Sequence, residues 1–298
     1  MTPRDVAAET TLLTLKELGL DKTNWRKLLD IPVDQLLAAQ VALGRSGVRA
    51  AAPQRSGRRA GIGGNARPGG FGPVVDGTIL PRHPFDPEAP AISKNKPLIV
   101  GTNRDEASFF LWQSKDVEAF NLTETNLKER LAKEFGSDSD KVFEAYRKSR
   151  PGATATDLYI AIATARMMGA GTTTIAERKF AQQGAPVYMY VFTHESPWLI
   201  PGTQHKFGAG HAIEIPYKFN NTGIGGFQSV IGRDAERTAH NMSQMWSTFA
   251  RTGRPAANDQ PEWPAWTTKE RATMMLDADC KVINDPWPLE RRLWEELG

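Results

Sequence analysis

Cysteine is almost missing from this chain, Cys280 being the only one in 298 residues. One thiol excludes an internal disulfide and any zinc site built on cysteines, and it is compatible with a reducing compartment. Long apolar runs are missing too. No stretch reaches the roughly 18 consecutive apolar residues of a membrane helix, so no membrane span is expected. The opening Met1-Thr2-Pro3-Arg4-Asp5 lacks the basic-then-apolar pattern of a secretory signal. If Met1 is the true start, a cytoplasmic protein is expected. HExxH and GxxxxGK(S/T) are absent. The glycine-rich stretch Gly61 to Gly70 lacks the preceding strand and the spacing of a dinucleotide fingerprint. His205 and His211 lie six apart in a loop, unlike a helical ligand pair. Neither a cofactor nor a metal is expected.

Charge of one sign is scarce as a general feature. The formal net charge is +3, but Gly44 to Gly70 holds Arg45, Arg49, Arg55, Arg58, Arg59 and Arg67 with no acid, and without those six the remainder carries −3. A general nucleic-acid surface is therefore not indicated. The same composition of Gly, Arg and Ala cannot form a packed core, so Gly44 to Gly70 reads as a flexible loop. An RGG-like RNA-binding role for it would show as a steep salt dependence of binding.

What is present is ordinary for a soluble globular protein, 40% hydrophobic and 24% charged. Arg4 to Leu43 is helical in pattern, broken at Gly19. Pro97-Leu98-Ile99-Val100 opens a strand that runs to Thr102. A long helical segment from Thr154 carries Leu158, Ile162, Ala165, Met168 and Ile175 on one face until Gly184-Ala185-Pro186 stops it. Val187 to Phe192 is β-branched and aromatic throughout, a strand buried on both faces. Met242, Met245, Trp246 and Phe249 mark one face of a further helix. A short extended pair, Thr273 to Leu276 and Lys281 to Asn284, precedes a terminal helix near Trp287 and Trp294. Strands separated by helices indicate an α/β architecture, with few central strands for this length.

Both strong strands lead into loops that present a polar group. The first ends in Asp105-Glu106, followed at once by Phe109 and Phe110; the second leads to His211 on the run Gly208-Ala209-Gly210. In α/β folds the carboxyl ends of strands are where ligands bind. If the two strands are neighbours, Glu106 can accept the Nδ1 proton of His211, fix its tautomer and stabilise an imidazolium. A plainer role for Glu106 is to sit in a helix first turn, where a carboxylate is favourable against the macrodipole. His83, His194, His205 and His240 carry no comparable pattern.

Five segments occur here in a telling order: FGPVVDGTILP, PLIVGTNRDEASFFLW, GAGHAIEIPYKFNN, MSQMWSTFARTGRP, and PEWPAWT with DPW. In this order they resemble the type-B carboxylesterases, the α/β-hydrolase family that includes para-nitrobenzyl esterases and cholinesterases. The resemblance implies that Glu106 is the catalytic acid, His211 the general base, and Phe109 and Phe110 walls of an apolar pocket for an ester; a plainer reading makes Phe109 and Phe110 core of the helix that follows. It implies a serine hydrolase acting on small carboxylic esters. A non-catalytic, cholinesterase-like interaction domain is the rival, and the presence of both Glu106 and His211 speaks against it.

The nucleophile is what the resemblance does not find. In this fold it sits on a GxSxG elbow, N-terminal to the acid and the histidine. Ser46 has Val48 in place of the last glycine, and Ser108 has Glu106 and Phe110 at the glycine positions. The chain is therefore expected to be the C-terminal part of a single hydrolase domain, residues 1–298, with an incomplete central sheet and the elbow upstream. That placement leaves the localisation open, since an upstream half could carry a secretion signal. It also leaves an unpaired sheet edge that invites self-association.

Overall fold

The computed structural model describes residues 1–45, 70–223 and 231–298. Most of the expected Gly/Arg-rich loop, with Ser46, lies outside the described residues. The described residues divide into two compact units, one ending at Glu88 and the other beginning at Ala89.

In the first unit, α1 (Arg4–Glu17) and α2 (Val33–Arg45) flank a 3-10 turn, Trp25–Asp30. Gly19 takes a positive φ of 67°, which lets Leu20 N–H reach back to Leu15 O (2.7 Å) and Gly19 N–H to Lys16 O (3.0 Å). These two bonds close the helix end as a Schellman motif. Leu15, Ala39 and Leu43 are buried.

The second unit holds a four-stranded sheet. Its strands are β1 (Leu98–Asn103), β2 (Val187–Phe192), β5 (Ala272–Leu276) and β6 (Lys281–Asn284), in the order β1-β2-β5-β6. The first three are parallel, and β6 returns antiparallel to β5. Two faces of β2 bury different partners. Tyr188, Tyr190 and Phe192 pack with Met274, Leu276, Met242 and Met245, the last two lying on α9 (Arg233–Thr252). Val187 packs with Ala176 and Trp266, and Met189 leans on the same cluster. Full burial of a side chain like Phe192, 0% exposed, contributes about 1.5–3 kcal/mol.

Between β1 and β2 run α3 (Ala107–Gln113), α4 (Glu124–Phe135), α5 (Ser139–Ser149), α6 (Ala155–Thr164) and α7 (Ala170–Ala181). Thr154 opens α6 with a reciprocal capping box to Asp157. Leu127, Leu131, Val142, Tyr146, Leu158 and Ile162 form a helical core that also takes Leu293 from the terminal helix α10 (Pro288–Leu297). The long helical segment expected from Thr154 is interrupted by a π turn at Ala165–Gly169. The extra residue in that turn rotates the following face, so Ala176 and Lys179 are buried while the expected Ile175 is only half-buried.

After β2, a hairpin of β3 (Ser196–Leu199) and β4 (Lys206–Gly208) occupies what the sequence presents as a Pro/Gly-rich loop. It is followed by the one-turn α8 (Ile215–Lys218). Strands this short, with Pro197 inside one and Pro201 beside it, give no alternating pattern to read.

Candidate active site

β1 and β2 pair in register from Leu98↔Val187 to Asn103↔Phe192, so their carboxyl ends are level. Arg104 N–H continues the ladder to Phe192 O at 3.0 Å. Glu106 then begins the next turn and His211 follows the hairpin. His211 Nδ1 stands 2.6 Å from Glu106 Oε2. Asn103 N–H donates to Glu106 Oε1 at 2.8 Å, so both carboxylate oxygens are engaged. Glu106 occupies the N-cap position of α3 but makes no side-chain capping bond. The adjacent Ala107 N–H is satisfied by Thr164 Oγ1 at 3.1 Å.

Glu106 is buried, 5% exposed. Burial pushes its carboxyl above the ordinary 4.5, against the lowering pull of Asn103 N–H and His211, and the neighbouring Glu214 charge adds to the rise. An ionised carboxylate only accepts hydrogen bonds, so the proton of a neutral His211 ring resides on Nδ1 and Nε2 presents its lone pair. The His211 side chain is 36% exposed, and Nε2 has no hydrogen-bond partner among the described residues. This geometry holds a neutral imidazole in one tautomer.

Both phenylalanines expected to line a pocket flank this ring. Phe110 lies 4.7 Å and Phe109 5.6 Å from the imidazole, centroid to centroid. Phe109 also packs edge-on against Trp112 (5.9 Å) and partly into the main core. Trp112, Trp198 and Phe207 extend the aromatic wall.

Residues that sequence reasoning left without a role hold the loop. Asn103 Nδ2 donates to Gly210 O (2.7 Å) and to Glu214 Oε2 (2.6 Å). Lys218 Nζ donates to Glu214 Oε1 at 2.9 Å. Their only signal in the sequence is adjacency to Glu106 and His211. The remaining histidines sit elsewhere: His194 on Asp277 (2.8 Å), His205 on Asp157 (3.2 Å), His240 beside Gln244 (2.9 Å), and His83 on the Pro84 carbonyl (2.6 Å).

Ser108 is no nucleophile as placed here. It is 0% exposed, and its buried Oγ has no partner among the described residues. Among those residues no group of three or more His, Cys, Asp or Glu is placed to hold a metal, and no helix is long and apolar enough to cross a membrane.

The fold is that of the α/β hydrolases, in partial form. A carboxylesterase of Geobacillus stearothermophilus superposes with a TM-score of 0.73 at 29% identity, over 98% of this chain and 55% of that one. The sequence profile described as the Carboxylesterase family matches residues 49–291, and the chain belongs to that family. Among its relatives, the para-nitrobenzyl esterase of Bacillus subtilis (strain 168) is 27% identical over 289 residues, 95% of this chain and 52% of that protein. The phenmedipham hydrolase of Pseudarthrobacter oxydans is 27% identical over 220 residues, 72% of this chain and 42% of that protein. The chain thus spans about half the length of the curated relatives it matches or less.

Proposed function

We propose that the protein carrying these residues hydrolyses small carboxylic esters by acyl transfer. His211 is the general base, Glu106 orients it, and the serine nucleophile lies in sequence outside these 298 residues, completing one hydrolase domain. The observation that carries the reading is the 2.6 Å contact between His211 Nδ1 and the buried Glu106 carboxylate, in a chain of carboxylesterase ancestry.

In this mechanism Nε2 of His211 takes the serine proton as Oγ bonds to the ester carbonyl carbon. The carbonyl π pair moves to oxygen, then returns as the bond to the alcohol breaks, and Nε2 gives the proton to the departing alkoxide. Water repeats the sequence on the acyl-enzyme. Glu106 stays ionised and stabilises the imidazolium. Phe109 and Phe110 are read as the apolar wall against which the acyl or alcohol group rests.

A serine-directed phosphonate tests this. The 298-residue chain should not be labelled; the protein extended upstream to include a GxSxG serine should be labelled there and should hydrolyse a short-chain aryl ester. His211→Ala should lower that turnover by roughly six orders of magnitude. Labelling of a serine within the 298 residues, lost on His211→Ala, would overturn the assignment of the nucleophile.

A further inference from the structure

The loop that carries His211 is costly to hold. Gly208 has a φ of 66°, and Ala212, on the other side of His211, has a φ of 64° where a side chain is disfavoured. Glycines at 208 and 210 also give the unfolded loop a large conformational freedom to lose. Something must fix it for His211 to meet Glu106. Asn103 grips Gly210 O from within the sheet, but the residue between the glycines, Ala209, is gripped from both sides by one residue. Asp105 N–H donates to Ala209 O at 3.0 Å, and Ala209 N–H donates to Asp105 Oδ2 at 2.9 Å.

The fit is steric as well as polar. A Cβ placed on Gly208 would come 2.5 Å from Asp105 Oδ2, so the carboxylate occupies the space that the missing side chain leaves. The carboxylate is itself held, since Arg104 Nε and Nη2 donate to it (2.8 Å for Nη2 to Oδ2), and Arg104 Nη2 also reaches Glu195 Oε1 at 2.8 Å. A line of contacts thus runs from Glu195, between β2 and β3, through Arg104 and Asp105 just after β1, to the amide two residues before His211.

We propose that Asp105 is a positioning residue for the general base: by filling the Gly208 notch and clamping Ala209, it sets the distance and direction of His211 toward Glu106. This rests on His211 being the base of an esterase, but the clamp itself can be read without catalysis. The requirement is one of shape. Asparagine keeps an oxygen in the notch and can still accept from Ala209 N–H; glutamate keeps the charge but is one methylene too long to sit against Gly208.

The test uses the 298-residue chain and the upstream-extended enzyme, each with Asp105→Asn, Asp105→Glu and Asp105→Ala. Nuclear magnetic resonance of the shorter chain reads the far-downfield Nδ1 proton of His211 that a bond to a carboxylate produces. Wild type and Asp105→Asn should keep it; Asp105→Glu and Asp105→Ala should lose it while retaining native circular dichroism. In the extended enzyme the latter two should lose roughly a hundredfold in kcat with KM within about twofold, the expected effect of a displaced but intact base. If the alanine variant does not fold, the asparagine and glutamate pair decides. A downfield proton unchanged in Asp105→Glu, or in a folded Asp105→Ala, overturns the proposal. If the extended wild-type enzyme hydrolyses no ester, the esterase reading fails and the proton signal still decides whether Asp105 positions His211.

Discussion

Glu106→Gln separates the chemistry of the pair from its effect on stability, and the two should move in opposite directions. The amide is the same size as the carboxyl, and its oxygen can keep the 2.8 Å bond from Asn103 N–H. Its NH2 group, however, would then face His211 Nδ1, where Oε2 now stands at 2.6 Å. A donor there forces Nδ1 to accept, which moves the ring proton to Nε2 and removes the lone pair that a serine needs. Loss of the correct tautomer in a triad lowers kcat by about 10⁴, or about 5.4 kcal/mol of barrier at 1.36 kcal/mol per tenfold.

Stability should not fall with it. Burial raises the Glu106 carboxyl above 4.5, so the folded state holds that proton more tightly than the unfolded chain. The contribution is fully present below the unfolded value and is lost as pH rises through the folded one. Glutamine does not titrate. The melting temperature of Glu106→Gln relative to wild type should therefore rise as pH goes from about 4 to about 7. The assay is aryl-ester turnover on the upstream-extended enzyme, beside thermal melts of the 298-residue chain. Turnover within about tenfold of wild type, or a variant that loses relative stability with rising pH, would refute the reasoning.

Lys179 is buried, and its Nζ donates to Ser93 O (2.5 Å), Lys94 O (2.9 Å) and Gln182 Oε1 (3.1 Å), tying the end of α7 to the segment before β1. Lys179→Met leaves those carbonyls without this donor and should cost roughly 2–4 kcal/mol in urea unfolding. His205 has acceptors at both ring nitrogens, Lys206 O (2.6 Å) and Asp157 (3.2 Å), and the bond to Asp157 raises its pKa above 6.5 and lowers that of Asp157 to about 2. The Asp157 contribution is present above 3.8 and lost as pH falls toward about 2, while the His205 contribution is present below 6.5 and lost as pH rises through its folded value. Melting temperature should show a maximum between these limits that Asp157→Asn flattens.

The sequence made the elements legible where burial dictates residue type over several positions. Val187 to Phe192 is apolar and aromatic because both faces of β2 are packed, Leu98 to Val100 are apolar on a half-buried β1, and Met242, Met245, Trp246 and Phe249 repeat at helical spacing because α9 packs on one face of β2. The β3–β4 hairpin was not legible, since three or four residues with prolines cannot display a period. Nor was the π turn, because one inserted residue leaves the composition unchanged and alters only the phase of the helix beyond it. At the site, Glu106 and His211 could be read as residues of reactive type at the ends of strong strands. Asp105, Asn103 and Glu214 could not, because their roles depend on which backbone groups the loop turns toward them.

That difference has a physical source. The Glu106–His211 pair proposed as catalytic is assembled from terms that each work against folding: a carboxylate only 5% exposed, a positive φ at Ala212, and glycines that enlarge the unfolded ensemble. None of these is offset within the pair, whose single short contact cannot by itself order a loop that begins a hairpin away. The offset comes from polar residues on the end of β1, where a parallel, in-register pairing with β2 fixes the turn rigidly. Asn103 Nδ2 and the Asp105 carboxylate each bond the loop backbone rather than the imidazole, so they restrain His211 without competing for Nδ1 or Nε2. An imidazole supported in this way keeps one ring nitrogen committed and the other open, which is the condition that the proposed proton transfer requires at a rigid site.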